Sequence, residues 1–251
     1  MKEKQKGMAL MIAVWAVIIL GAFITGILLT GARNTAYTSN RIAAAQARHL
    51  AEAGVYRAIA ALADPRERAQ LPLGVPAPFA MQLEDKAQIH VVVRDSCGAI
   101  DLNWAPEALL RAFSLTQGLP PAVAERLARA IVSRQKASLS PETAELNTGP
   151  WQSIDELAVL EGVDAEMLEK LRSGLTVNCR EAGADKFYAT QAVKEALRLS
   201  GAGGVPSHRL AYEIEAAAIL SGGAKAAVRA AIWLSLEPGP PYYHVAAWRS
   251  F

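Results

Sequence analysis

The sequence predicts an α+β fold: a long N-terminal helix, spanning a membrane at its start, packs on an antiparallel sheet that an all-α insertion interrupts. Three observations carry this. The chain is uncharged from Met8 to Ala32 and keeps helical spacing from Arg33 to about Ala63 without a proline. Its middle, Ala105 to Leu175, reads as short capped helices. Its end, from Leu210, reads as alternating strands.

Taken in order, the head Met1 to Gly7 carries Lys2, Lys4 and Lys6, and the apolar run after it would as one helix span the ~30 Å hydrocarbon core of a bilayer. The run is longer than the ~7 to 15 residues of a cleaved signal core. Counting cations does not orient it, because Arg33, Arg41 and Arg48 follow it. Beyond it, Ala43, Ala47, Leu50, Gly54, Ala58 and Ala61 step by three or four, a small-residue stripe against which a sheet can lie closely. Read as one helix, Met8 to Ala63 is ~84 Å long.

Asp64-Pro65 closes that helix, and a loop with Pro72, Gly74, Pro76 and Pro78 follows. Ala87 to Arg94 reads as a strand, with His90 a structural residue, since no second histidine, cysteine or acid pair lies near it. Gly98 marks a turn, and Ile100 and Leu102 continue as a short strand. Helices are expected from Glu107 to Phe113 and from Ala122 to Arg134, each behind a proline. Ser140-Pro141-Glu142 looks like another cap, Ser153 and Glu156 make a capping box for a helix to about Leu160, and Asp164 caps a helix to Arg172. After a helix from Gln191 to Leu199, Leu210 to Ile214 and Val228 to Leu234 alternate around the turn Ser221-Gly222-Gly223, and a last strand lies near Tyr242 to Trp248. The terminal aromatics Tyr242, Tyr243, Trp248 and Phe251 read as core or sheet-face residues.

Composition narrows the function. The chain has 251 residues and a net charge of +2, with no basic block of the kind a nucleic-acid binder uses. Two cysteines and four histidines offer no paired metal-ligand spacing. No nucleophile elbow, P-loop, zinc-protease helix or dinucleotide fingerprint is present. The acid pairs Glu142 with Glu145 and Asp155 with Glu156 fall in first helical turns, where carboxylates suit the dipole without any catalytic role. Non-enzymatic work is expected.

The short basic leader ending in Gly7, with the apolar helix directly behind it, resembles the class III leader of type IV pilins and type II secretion pseudopilins. That resemblance implies cleavage by prepilin peptidase between Gly7 and Met8 and methylation of the new amine. The fifth residue of the mature chain would be Ile12, where the usual pattern has Glu; the K-type minor pseudopilins, the general secretion pathway protein K family, lack that Glu. The Ala-Glu-Ala-Gly stretch Ala51 to Gly54 and the segment Asp101 to Val177 are similar to that family too, with Trp104 departing from a more usual Thr. The likeness runs from Lys2 to about Trp248.

It implies a pilin-like domain interrupted by a helix-hairpin-helix-like insertion: prepilin leader 1–7, transmembrane helix 8–32, first part of the pilin-like domain 33–103, insertion 104–178 and second part 179–251. It also implies a single pass through a bacterial inner membrane with the C-terminal domain in the periplasm. The function implied is capping the pseudopilus tip and starting its assembly for protein export, with Ile12 as the determinant. Implied partners are the I- and J-type minor pseudopilins, the H-type and major G-type pseudopilins, prepilin peptidase and the inner-membrane assembly platform. Neighbours below the cap would pack on the apolar helix and on the stripe from Ala43 to Ala61. No cofactor is expected; the resemblance leaves calcium open, with no oxygen set assigned. In the oxidising compartment outside the inner membrane, Cys97 and Cys179, at the two necks of the insertion, are expected to form a disulfide. Closing a loop of about 83 residues would contribute up to ~4.5 kcal/mol.

Two rivals share features. Gln117-Gly118-Leu119-Pro120 and Glu161-Gly162-Val163-Asp164 lie between helices like the hairpins of membrane-anchored DNA receptors. Those hairpins hold phosphate through backbone N–H groups at a second glycine. Here Pro120 has no N–H and Asp164 repels phosphate, so no nucleic-acid partner is expected. The other rival is a minor pilin of a type IV pilus.

Overall fold

A computed structural model describes residues 3–77, 87–138, 149–235 and 239–251, with side chains described except at 3–10 and 26–36. The expectations at Lys2, Pro78, Ser140-Pro141-Glu142, Glu145 and Pro238 lie outside these residues. One helix, α1 (Glu3–Ala63), runs for 61 residues, ~90 Å at 1.5 Å per residue. Within the uncharged run, described side chains extend from Met11 to Thr25, and all are exposed. Among the described residues no helix is long and apolar enough to cross a membrane.

The second half of α1 lies on a five-stranded sheet ordered β1-β2-β5-β6-β7, every neighbour antiparallel. The strands are β1 (Pro76–Ala77), β2 (Gln88–Asp95), β5 (Ala211–Ile219), β6 (Lys225–Leu234) and β7 (Tyr243–Ser250). Period-two alternation puts Val91, Val93, Tyr212, Ile214, Val228 and Ile232 on the face towards α1, where they bury Ala51, Val55, Ala58 and Leu62. Gly54 is where helix and sheet come nearest: a Cβ there would lie 3.0 Å from Ile89 Cγ2 and 3.2 Å from Ala216 Cβ. This corrects one expectation. Leu50, Gly54 and Ala58 of the stripe pack on the protein's own sheet, and Ala47 and Ala61 are buried, so this part of it offers no seat to a neighbouring subunit.

Between β2 and β5 the chain builds a second core. A 3-10 turn (Ser96–Gly98) leads into β3 (Ile100–Asp101), then α3 (Glu107–Thr116), α4 (Pro121–Ser138), a 3-10 helix (Ile154–Val159), α5 (Ala165–Arg172) and β4 (Leu175–Thr176). β3 and β4 pair in parallel at the base of this unit. Phe113, Leu127, Trp151, Leu157 and Leu171 fill it. α6 (Gln191–Ser200) packs on α3 and adds Val193, Ala196 and Leu197 to the same core, so the helical unit reaches past the expected boundary at 178. The helix expected at Ser153 to Leu160 forms with its capping box but as a 3-10 helix. A short α2 (Pro65–Gln70), capped by the Asp64 carboxylate, stands where the sequence suggested only a stop.

Candidate assembly surface and the closed neck

The helical unit leaves and rejoins the sheet through one neck, held in three ways. Cys97 and Cys179 form a disulfide with Cα atoms 4.9 Å apart. The β3–β4 ladder lies beside it. The third tie is Asp101, fully buried, whose Oδ1 accepts from Asn103 N (2.8 Å) and whose Oδ2 accepts from Cys179 N (2.8 Å) and Arg180 N (2.7 Å). Burial raises the Asp101 carboxyl above its ordinary value despite those three donors. Asp95 behaves alike: burial raises it, while Ser207 Oγ (2.7 Å) and Cys97 N (2.9 Å) donate to it. Neither aspartate stood out in the sequence as more than a polar residue near a turn, because its partners arrive from as far as Ser207.

His208 closes the neck from outside. Leu210 N donates to its Nδ1 (3.1 Å), which leaves the proton on Nε2, 2.9 Å from the Cys179 carbonyl and 3.4 Å from Cys97 Sγ. Cys97, Cys179 and His208 converge within 4.8 Å of one another, the spacing of a metal site. The disulfide takes both sulfurs and the carbonyl takes the Nε2 proton, so the trio presents no open ligand set.

The two hairpin-like turns close through Gly118 and Gly162, both at positive φ. Asp164 accepts from Met167 N (2.7 Å) and so places a carboxylate at the α5 N-terminus, where a phosphate would have to sit. Pro120 offers only its carbonyl, which accepts from Val123 and Ala124. Gly7 and Met8 lie in α1 among the residues without described side chains. Ile12 is 63% exposed on the uncovered part of α1. The structure thus brings Cys97 and Cys179 together and leaves Ile12 far from them. His90 is exposed on β2.

Across the sheet's free face runs an ion ladder: Arg94 to Glu215 (3.3 Å) and Arg229 to Glu215 (3.3 Å) and Glu213 (3.5 Å). The helical unit overhangs this face, enclosing an open cleft of about 1050 Å³ between Arg94, Glu213 and Arg229 below and Glu169, Arg172 and Tyr188 above. At the far side Arg249 of β7 reaches Asp155 and Ser153 Oγ (3.0 Å), while Arg172 holds the other Asp155 oxygen (2.5 Å). The unit is therefore fastened at its neck and, across the cleft, by Arg249.

No family model and no curated protein matches the sequence. Among solved structures it matches a chain of the GspK-GspI-GspJ complex from the enterotoxigenic Escherichia coli type 2 secretion system. The TM-score is 0.51 at 14% identity, and the match covers 87% of this chain and 98% of that one. At that identity the likeness is one of fold: this chain shares its fold with a chain of that complex.

Proposed function

We propose that this chain is a K-type minor pseudopilin that caps the pseudopilus tip and starts its assembly. The observation that supports this best is the architecture itself: a long helix with an uncovered apolar start, packed on an antiparallel sheet, with a closed helical unit inserted between β2 and β5. Such a molecule works by association and not by turnover. The leader would be cut between Gly7 and Met8 and the new amine methylated, with the helix anchored in the inner membrane and the rest in the periplasm. The matched chain belongs to a complex of GspK with GspI and GspJ, and the I- and J-type minor pseudopilins are the partners proposed here.

Ile12 supplies the reason for a terminal position. In a bundle of apolar helices an unpaired amine costs several kcal/mol, on the order of the cost of any buried lone charge. A chain with Ile12 offers no carboxylate to the amine of a subunit stacked above it. The helical unit adds bulk that a shaft of repeating subunits would have to accommodate at every turn, whereas a tip accommodates it once.

Two measurements test the reading. Mass analysis of the membrane form should find N-methylated Met8 as the first residue, dependent on prepilin peptidase; an uncut Met1 overturns the leader assignment. Deletion of the chain should stop protein export, and an epitope in α4 should appear at pseudopilus ends. Finding it at regular intervals along the shaft, in amounts matching the major subunit, overturns the cap.

A further inference from the structure

Strand β7 is exposed on both faces, with only Tyr243 and Trp248 half-buried, and it forms one border of the sheet. Ala227 and Phe251 exchange both of their backbone hydrogen bonds (2.8 and 2.9 Å). By antiparallel alternation Arg249 then points its backbone groups at β6, and Trp248 and Ser250 point theirs outward, with no partner among the described residues. A register shift between Ala231 and Ile232 bends the upper part of β7, so the regular open edge is the segment from Ala247 to Phe251. It holds neither proline nor lysine, two residues that commonly blunt such edges.

The side chains around this edge form a surface with one apolar and one cationic side. Towards α1, Trp248 stacks on Tyr56 with ring centroids 5.5 Å apart, and Tyr56 remains 55% exposed. Val245, opposite Ile232 of that face, is exposed as well. On the other face, the register lines up Val92, Glu215, Arg229 and Arg249 across four strands. That row runs apolar, acid, base, base; among the described residues no strand follows it, and the Arg249 guanidinium meets Asp155 and Ser153 Oγ of the helical unit.

We propose that the β7 edge takes an added strand from a second, different pilin-like subunit, and that this strand carries an acidic residue between two apolar ones. The acid would sit opposite Arg249 and share its guanidinium with Asp155, which already pairs with it; the apolar residue opposite Trp248 would cover Tyr56. The proposal rests on the minor-pseudopilin reading, which supplies a neighbouring subunit running along the same α1. A second copy of this chain suits the edge less well: pairing the whole open segment with itself about its centre sets Arg249 directly against Arg249, and like charges directly opposite in a sheet repel.

The test uses the full chain in detergent with the I- and J-type minor pseudopilins of the same secretion system. Amide exchange of the unaltered chain should slow at Trp248 and Ser250 when the complex forms. Ser250→Pro removes an N–H that the β6 ladder does not use, so the fold should stand while association weakens about tenfold. Tyr56→Ser, at an exposed position, should weaken it by less. Complex formation with unchanged exchange at both amides, and with Ser250→Pro binding as well as the parent, overturns the added strand and leaves the pseudopilin reading in place. Failure of the unaltered chain to bind either partner overturns both.

Discussion

Asp101 shows how much one buried carboxylate organises. It terminates three N–H groups from two chain segments that meet only at the neck. Asp101→Asn can set its amide oxygen towards Cys179 N and Arg180 N, but its N–H₂ then faces Asn103 N and leaves that donor without a partner. A loss of about 2 kcal/mol or more, read from denaturant midpoints, is expected. Asp95→Asn should behave differently, because the amide still accepts from Cys97 N and now donates to Ser207 Oγ. Burial raises the Asp95 carboxyl above 3.8 in the folded protein. The folded state therefore binds that proton more readily than the unfolded chain. Its contribution to stability is most favourable below 3.8, declines as pH rises through the folded value, and is flat above it. Asp95→Asn removes this decline. As pH rises from 3.8 its stability should fall less steeply than the parent's, and at neutral pH it should be at least as stable. A steeper fall in the variant would contradict the assignment.

At the scale of elements, the contact of α1 with the sheet is the one most sensitive to volume. A side chain at Gly54 meets Ile89, Val91 and Ala216 at 3.0 to 3.2 Å. Replacing glycine in a helix with alanine gains up to ~1 kcal/mol of helix propensity, which overpacking of about the same size offsets. Gly54→Ala should therefore be near neutral. Gly54→Val should cost about 2 kcal/mol, since the branched side chain adds volume and little propensity. The Cys97–Cys179 bond spans 82 residues of sequence, and loop closure of that size is worth up to ~4.5 kcal/mol. The double Cys→Ala variant should lose up to this amount, because the unfolded chain regains the loop entropy, while the β3–β4 ladder and Asp101 still hold the neck in the folded state. Thermal unfolding of parent and variant, compared with the parent under reductant, measures the difference.

At the scale of the whole molecule, two cores are joined by a neck and by the Arg249 contact across a cleft. Arg249 is half-exposed, and a pair of that kind contributes about 1 kcal/mol or less. Arg249→Ala should leave the unfolding midpoint almost unchanged. It should instead loosen the pose of the helical unit, seen as faster exchange or a wider distance distribution between labels in α4 and β7. Raising salt should have the same effect in the parent and little in the variant. Unchanged distances in both would mean that the neck alone sets the pose.

Local patterns determined most elements. Val91, Ile214 and Val228 mark their strands by alternation, and Ser153, Glu156 and Asp164 mark helix starts through caps that need only neighbours in sequence. The stripe on α1 was equally visible, but not which body covers it: a small-residue face accepts any close-packed surface, and the protein's own sheet arrives from β2, β5 and β6. The parallel pairing of β3 with β4, the enlistment of α6 into the helical core, and the neck aspartates were decided by tertiary structure alone. Each depends on partners separated by tens of residues, and two-residue strands or a lone aspartate carry no periodicity to announce them. The open edge of β7 has the same origin, since a sequence that reads as a strand does not say which of its two sides will find a neighbour.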